Sequence, residues 1–146
     1  MRILIAGTGA VGGFFGAALA RAGHDVTFLA RGANLAALRA SGLTVESVDG
    51  DFHVSRITAV DDVGGLAPFG LVLFTVKSYD TVAVARQIAS VVREDTVVLS
   101  LQNGLLEERL LDDPAQLHFA LQPDASSGEA LWVACCPRAW LQEHLQ

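Results

Sequence analysis

The sequence has little of what disulfide frameworks and metal sites are built from. Its only two cysteines, Cys135 and Cys136, are adjacent, so they do not suit a structural disulfide or a metal-ligand spacing. This cysteine usage favours a reducing, cytoplasmic compartment. We predict no metal site, and we treat the four histidines as structural because the sequence offers them no recognisable ligand or catalytic partners: His24, His53, His118 and His144.

Basic residues are also scarce. Lysine and arginine number 10 against 16 aspartates and glutamates, and the resulting net charge of −6 argues against nonspecific nucleic-acid binding. Hydrophobic residues make up 51% of the 146 residues, which is typical of parallel sheets that helices cover on both faces. There is no evident internal repeat or low-complexity segment.

A glycine-rich turn near the start is the most informative feature that is present. It lies between the apolar run Ile3–Ala6 and a helical pattern, and a second apolar run follows at Val26–Leu29. In that pattern one helix face carries Val11, Phe15, Ala18 and Ala22. A strand, a glycine turn, a helix and a strand form a dinucleotide-binding βαβ unit. The turn consists of Gly7, Thr8, Gly9, Ala10, Val11 and Gly12.

Each glycine of this turn has a separate expected role. Gly7 allows a sharp turn with positive φ, and Gly9 leaves room for a pyrophosphate close to the backbone. Gly12 allows the helix to pack closely on the strand. The start of the helix would then bind the diphosphate through its free N–H groups and its dipole.

A signal peptide or membrane anchor is the alternative for the same stretch, since residues 3–20 carry no charge. However, five glycines among these eighteen residues make the segment only modestly hydrophobic. The apolar pattern also continues directly into the second strand. We therefore expect no membrane association.

The remaining patterns predict an α/β fold with a Rossmann-type, doubly wound, mainly parallel sheet. Two nearly continuous apolar runs are typical of buried parallel strands, and Asp49-Gly50 marks a hairpin between two shorter strands. A helix with an apolar face of Val84, Ile88 and Val91 has Ser78 or Asp80 as its N-cap. The predicted elements are strands 71–76 and 96–101, hairpin strands 43–48 and 52–55, and a helix over 34–41.

Polar features follow four of the apolar runs. Gly7, Arg31 and Lys77 follow the first three, and Gln102-Asn103-Gly104 follows the last. In a parallel sheet these points share the edge where open α/β sheets bind ligands, so this edge is the predicted site.

Arg31 indicates which dinucleotide is preferred. NAD-binding units place an acidic residue at this position for the ribose 2′-hydroxyl, whereas a guanidinium suits a 2′-phosphate. Asp25 is no substitute because it begins the second strand, on the opposite edge. We therefore predict NADP(H), and we rank FAD and S-adenosylmethionine low. The alternative for Arg31 is a solvated loop arginine.

Lys77 and Asn103 each have two interpretations. Lys77 is either a surface lysine or a contact for an anion or a carbonyl, and its place after a buried strand favours the contact. Asn103 precedes a glycine and could simply form a turn, but its position favours an amide that hydrogen-bonds substrate or cofactor.

With these motifs, the chain resembles the ketopantoate reductase (2-dehydropantoate 2-reductase) family over about residues 1–110. The matching motifs are residues 7–12, Ala30-Arg31-Gly32, Val76-Lys77-Ser78-Tyr79-Asp80 and Leu101-Gln102-Asn103-Gly104. The resemblance implies NADPH-dependent reduction of 2-dehydropantoate, a 2-oxo acid, to (R)-pantoate in pantothenate and coenzyme A biosynthesis. It also implies that Arg31 contacts the 2′-phosphate, and that Lys77 and Asn103 lie near the nicotinamide and the substrate.

The resemblance also implies a second, helical domain that supplies the lysine acid. We expect this domain to be absent, with residues 1–110 forming the NADP-binding domain and residues 111–146 a divergent or truncated tail. No catalytic residue is therefore identified in this chain. The alternatives are a non-catalytic NADP-binding or redox-sensing module and a nucleotide-binding subunit completed by a partner chain. A homodimer is a further option for covering the exposed surface.

Overall fold

A computed structural model describes residues 1–48 and 50–102, together with the backbone of two later strands, 117–119 and 133–137. The helices are α1 (Ala10–Arg21), α2 (Gly32–Ser41) and α3 (Thr81–Ile88). Short 3₁₀ turns at Ser78–Asp80 and Ala89–Val91 flank α3. The strands are β1 (Arg2–Ala6), β2 (Asp25–Leu29), β3 (Leu43–Val45), β4 (Phe52–Val54), β5 (Thr58–Val60), β6 (Leu71–Phe74), β7 (Val97–Ser100), β8 (Leu117–Phe119) and β9 (Val133–Pro137).

Seven strands form one sheet in the order β5-β2-β1-β6-β7-β9-β8. The first five are parallel, with Ile5 of β1 opposite Phe28 of β2 and Leu73 of β6. Strand β9 runs antiparallel to β7, and β8 antiparallel to β9. Along the chain, the sheet first extends from β1 to β2 and β5 on one side, and then from β1 to β6 and β7 on the other side. This change of direction at β1 is the arrangement of a doubly wound fold, and it confirms the predicted fold class.

Alternate residues of the central strands supply two cores, one on each face of the sheet. Ile3 and Ile5 of β1 join the core beneath α1 and α2, whereas Leu4 and Ala6 join the core beneath α3. All four residues are fully buried. A strand that is apolar on both sides suits only a sheet covered on both faces, which explains the hydrophobic composition.

Helix α1 buries a face that overlaps only in part with the predicted one. Phe15 of the predicted face packs against the core, but Val11 is 44% exposed, and the buried positions are Gly12, Gly13, Gly16 and Ala17. A Cβ on Gly16 would lie 2.8 Å from Cγ1 of Ile5 and would also overlap the Phe28 ring. The helix therefore packs its backbone directly on the sheet, and this close approach needs small residues rather than large apolar ones.

The hairpin β3–β4 and the edge strand β5 are short elements beside the central strands. The hairpin is confirmed, although its strands are shorter than predicted and form a separate two-stranded sheet. Arg21 of α1 anchors it, with its guanidinium 3.8 Å from the centre of the Phe52 ring. The sequence analysis missed β5, which is only three residues long and buries a single side chain, Ala59.

The predicted domain boundary at residue 110 lies outside the described residues. Within the described ranges, no helix is both long enough and apolar enough to span a membrane, and the uncharged stretch 3–20 instead contains most of β1, the glycine turn and most of α1.

Candidate functional site

A cleft of about 420 Å³ opens at the carboxyl ends of β1, β2 and β6. These three strands are neighbours, so the segments that follow them converge on one place. The loop after β1 forms the floor at the start of α1, and the segments leading into α2 and α3 form the sides. The lining residues are Gly7, Thr8, Gly9, Leu29, Ala30, Arg31, Asn34, Asp61, Thr75, Val76, Lys77, Asp80, Val84 and Gln87.

The fold itself requires two of the three motif glycines. Gly7 has a φ of +105°, and a Cβ there would lie 2.7 Å from Cγ1 of Val76. A Cβ on Gly12 would overlap the carbonyl oxygen of Gly7 and the hydroxyl of Thr75. Any larger residue at either position would push β1, β6 and α1 apart.

Gly9 has no such structural reason to be glycine. Its φ is −87°, which any residue adopts, and a Cβ there would have no neighbouring atom within 4 Å. Gly9 borders the cleft, so its missing side chain leaves the backbone open to whatever enters. The first turn of α1, which begins just after Gly9, contains no acidic residue that would repel an anion.

Side chains hold the glycine turn in place from both sides. The Thr8 hydroxyl donates to the Leu29 carbonyl at 3.2 Å, and the Asn34 amide donates to the Thr8 carbonyl at 2.8 Å. From the other side, the Thr75 hydroxyl donates to the carbonyl of Gly7. The turn is thereby tied to the ends of β2 and β6 and to α2, which fixes the floor of the cleft before any ligand arrives.

Arg31 follows the end of β2 and occupies the N-cap position of α2 without a side-chain capping hydrogen bond, and its side chain is 79% exposed. Its Nη2 lies 2.8 Å from Oδ2 of Asp80, whose side chain is 25% exposed. Asp80 occupies the N-cap position of α3, as the sequence suggested, but its carboxylate makes no capping hydrogen bond. The carboxylate pairs instead with the guanidinium across the cleft.

Lys77 is the only lysine in the sequence. It follows β6, lines the cleft and is exposed. Among the described residues, no carboxylate lies within salt-bridge distance of its ammonium. The cleft therefore contains one cation that is paired, Arg31, and one that is free of a carboxylate partner, Lys77.

The structure brings together five of the nine predicted site residues: Gly7, Thr8, Gly9, Arg31 and Lys77 line the cleft. Ala10 borders a smaller cleft on the other side of the turn, Val11 is exposed in the first turn of α1, and Gly12 is buried. Asn103 lies outside the described residues.

Gln102 follows the last parallel strand but does not line the cleft. It is buried, and its Nε2 donates to the Val76 carbonyl and to the Thr81 hydroxyl, both at 2.8 Å. Its Oε1 accepts from Ser100 at 3.3 Å. Gln102 was expected at the ligand-binding edge, but its side chain instead joins the end of β7 to the loop after β6 and to α3.

Several cleft residues were missed by sequence reasoning as site residues, among them Asp80, Asn34, Asp61 and Gln87. Asp80 belonged to a quoted motif but was considered only as a helix cap, and Asn34 stands three positions after Arg31, one turn along α2. Asp61 follows β5, a strand that the sequence analysis missed, and its carbonyl accepts from Nε2 of Gln87 at 2.6 Å. Only the first two had a usable signal in the sequence.

A parallel sheet with this strand order, a glycine turn between β1 and α1 and a cleft at the carboxyl edge define the Rossmann class of folds. The sequence model of one family, described as ketopantoate reductase PanE/ApbA, matches residues 3–136. The chain belongs to this family. The match extends past residue 110, where the sequence analysis expected the domain to end.

Individual relatives agree with this assignment. A 2-dehydropantoate 2-reductase from Nostoc sp. is 37% identical over 116 residues, which cover 79% of this chain and 36% of the relative. The crystal structure of 2-dehydropantoate 2-reductase from Geobacter metallireducens superposes with a TM-score of 0.71 at 33% identity, covering 89% of this chain and 44% of that one.

A third similar protein was solved together with bound ligands. D-mandelate dehydrogenase, in a ternary structure with NADH and anilino(oxo)acetate, superposes with a TM-score of 0.68 at 26% identity, covering 77% of this chain and 36% of that one. The chain thus spans less than half the length of each of these three relatives.

Proposed function

We propose that this chain binds NADP(H) and forms the nucleotide-binding part of a ketopantoate reductase, which reduces 2-dehydropantoate to (R)-pantoate in pantothenate and coenzyme A biosynthesis. The observation that carries the proposal is Gly9. The fold tolerates a Cβ there, yet the position lacks one at the point where the start of α1 faces the cleft. A diphosphate close to the backbone explains this glycine, and the fold alone does not.

The residues present fit this dinucleotide. The turn 7–9 and the start of α1 would hold the diphosphate, and Arg31 would bind the 2′-phosphate of the adenosine ribose. The D-mandelate dehydrogenase relative was solved with NADH, so the structural neighbours include a protein that takes the cofactor without this phosphate. Arg31 at the end of β2 supports NADP(H) for this chain.

The chemistry divides between cofactor and protein. When bound, NADPH supplies a hydride for the ketone carbon. The ketone oxygen then needs a proton and a positive charge nearby. Lys77 would place a cation at this edge, and we assign it and Asn103 to binding the 2-oxo acid and the nicotinamide. We assign the proton donor to the part of the family fold that this chain does not match, so we expect cofactor binding with little ketone reduction by this chain alone.

Calorimetric titration of the purified chain with NADPH and with NADH tests the cofactor assignment. We expect NADPH to bind more tightly, and Arg31→Asp to weaken NADPH by about 1.5–3 kcal/mol, the size of a hydrogen bond to a charged group. Arg56→Asp is the control, since Arg56 does not line the cleft. Equal affinities for NADPH and NADH would contradict the NADP(H) assignment, and steady ketopantoate reduction would contradict the division of roles.

A further inference from the structure

The cation assigned to the 2′-phosphate is paired with a carboxylate of the same cleft. The Arg31–Asp80 pair joins the segment after β2 to the start of α3, with 2.8 Å between Nη2 and Oδ2. No other polar contact is recorded for the Asp80 carboxylate among the described residues, and it does not cap its helix. Its interaction is therefore directed at Arg31 and at the cleft.

A carboxylate at this place distinguishes the two nicotinamide dinucleotides. It accepts a hydrogen bond from a ribose 2′-hydroxyl, which is the task of the acidic residue at the end of the second strand in NAD-binding folds. It repels a 2′-phosphate that binds the same guanidinium, because both anions would lie within one side-chain length of each other. In this chain the end of β2 carries Arg31, and the acidic group comes from the start of α3.

We propose that Asp80 is a specificity-determining residue that reduces the preference for NADPH over NADH. Its carboxylate competes with the 2′-phosphate for Arg31 and accepts a hydrogen bond from the 2′-hydroxyl of NADH. The proposal rests on the proposed binding of NADP(H) in this cleft. In this proposal the site accepts both dinucleotides. Arg31 favours the 2′-phosphate of NADPH, and Asp80 favours the 2′-hydroxyl of NADH.

Asp61 is the other carboxylate of the cleft, and it is less suited to this role. Its Oδ1 lies 3.7 Å from Nη2 of Arg39, and both side chains are more than half exposed. Asp61 has no recorded contact with Arg31. Asp80 is therefore the carboxylate that competes with the 2′-phosphate for the Arg31 guanidinium.

The test compares dissociation constants for NADPH and NADH in the unaltered chain, Asp80→Asn and a control. Asp80→Asn keeps the shape of the side chain and a residue type favoured at helix N-caps. We expect NADPH to bind about fivefold to tenfold more tightly, NADH to bind the same or more weakly, and the preference to rise at least fivefold; a tenfold change equals about 1.4 kcal/mol. The control, Asp25→Asn, breaks a surface pair with Arg2 (3.3 Å) at the opposite edge and should leave the preference unchanged.

Three results would overturn the inference. An unchanged preference in Asp80→Asn would show that the carboxylate does not compete, and weaker NADPH binding would show that Asp80 only positions Arg31. An unaltered chain that binds neither dinucleotide would remove the proposed function as well, so the two failures are distinguishable. Urea unfolding checks that the variant folds, and Asp80→Ser, with the same expectation, replaces it if it does not.

Discussion

At the scale of single residues, the three motif glycines are glycine for different physical reasons. Gly7 needs positive φ, and Gly12 needs room beside the Gly7 carbonyl and Thr75. Gly9 needs neither. The motif predicts a separate role for each glycine. The structure shows that folding requires glycine at positions 7 and 12, and we assign Gly9 to the ligand.

This difference predicts that alanine at position 12 mainly lowers stability, whereas alanine at position 9 mainly weakens NADPH binding. Gly12→Ala should destabilise the chain by about 1–3 kcal/mol, because the added methyl group enters a packed interface between backbone segments. Gly9→Ala should change the free energy of unfolding by less than about 1 kcal/mol, the scale of a helix N-cap change. It should weaken NADPH binding by about tenfold, or 1.4 kcal/mol, because the methyl group keeps the diphosphate from the helix start.

Urea unfolding and calorimetric titration measure the two effects separately. Gly65→Ala is a useful reference, since Gly65 has a φ of +79° and open space around it, so it reports backbone strain without overlap. If Gly9→Ala bound NADPH normally, the diphosphate site that we infer at the start of α1 would not exist.

At the scale of elements, the carboxyl ends of β6 and β7 are joined by one buried amide. Gln102 connects the Val76 carbonyl, just before Lys77, with the Thr81 hydroxyl in the first turn of α3. The segment between these two contacts carries Lys77 and Asp80. Gln102 therefore supports the wall of the cleft without lining it.

Gln102→Leu should lower the free energy of unfolding by about 1–3 kcal/mol, because the Val76 carbonyl would lose a buried partner. It should also weaken NADPH binding, since the segment that carries Lys77 would lose a support. Denaturant unfolding and calorimetry test both parts. The matched control is Thr44→Val, which removes the exposed 2.9 Å hydrogen bond to His53 in the hairpin and should have little effect on either. Equal losses of stability in the two variants would contradict the role of Gln102.

At the scale of the whole molecule, the net charge repels an anionic ligand, whereas the cations of the cleft attract it at short range. The chain carries a net charge of −6, and the cleft holds two cations, Arg31 and Lys77, together with two carboxylates, Asp61 and Asp80. Beyond about 10 Å the net charge is screened at ordinary ionic strength, whereas contacts at hydrogen-bond distance are screened much less. Local attraction should therefore outweigh the general repulsion.

NADPH binding should accordingly weaken as salt is added. Between about 0.05 M and 0.5 M NaCl we expect a loss of about twofold to fivefold, the contribution of an exposed ion pair. NADH should lose less because it lacks the 2′-phosphate, and Arg31→Ala should remove most of the difference between the two. Calorimetry at several salt concentrations measures this. NADPH binding that strengthens with salt would show that the net charge dominates.

The sequence was sufficient where local patterns carry the information. The apolar runs predicted β1, β2, β6 and β7 because most residues of these strands are apolar and the sheet is covered on both faces. The glycine turn and the residues that follow each strand located the cleft, since parallel strands bring their carboxyl ends to one edge. The sequence could not reveal β5, whose short run has too little pattern to distinguish it from a loop.

By itself, then, the sequence determined the doubly wound sheet, the edge that holds the cleft and the presence there of Arg31 and Lys77. Only the tertiary structure decided that α1 also packs through Gly16, and that Asp80 faces Arg31. The physical reason is distance along the chain: Asp80 and Arg31 are 49 residues apart and meet only because β1 brings β2 and β6 to either side of it. Hydrophobic periodicity indicates the secondary structure of each segment, whereas a contact such as Arg31–Asp80 depends on how the elements pack together.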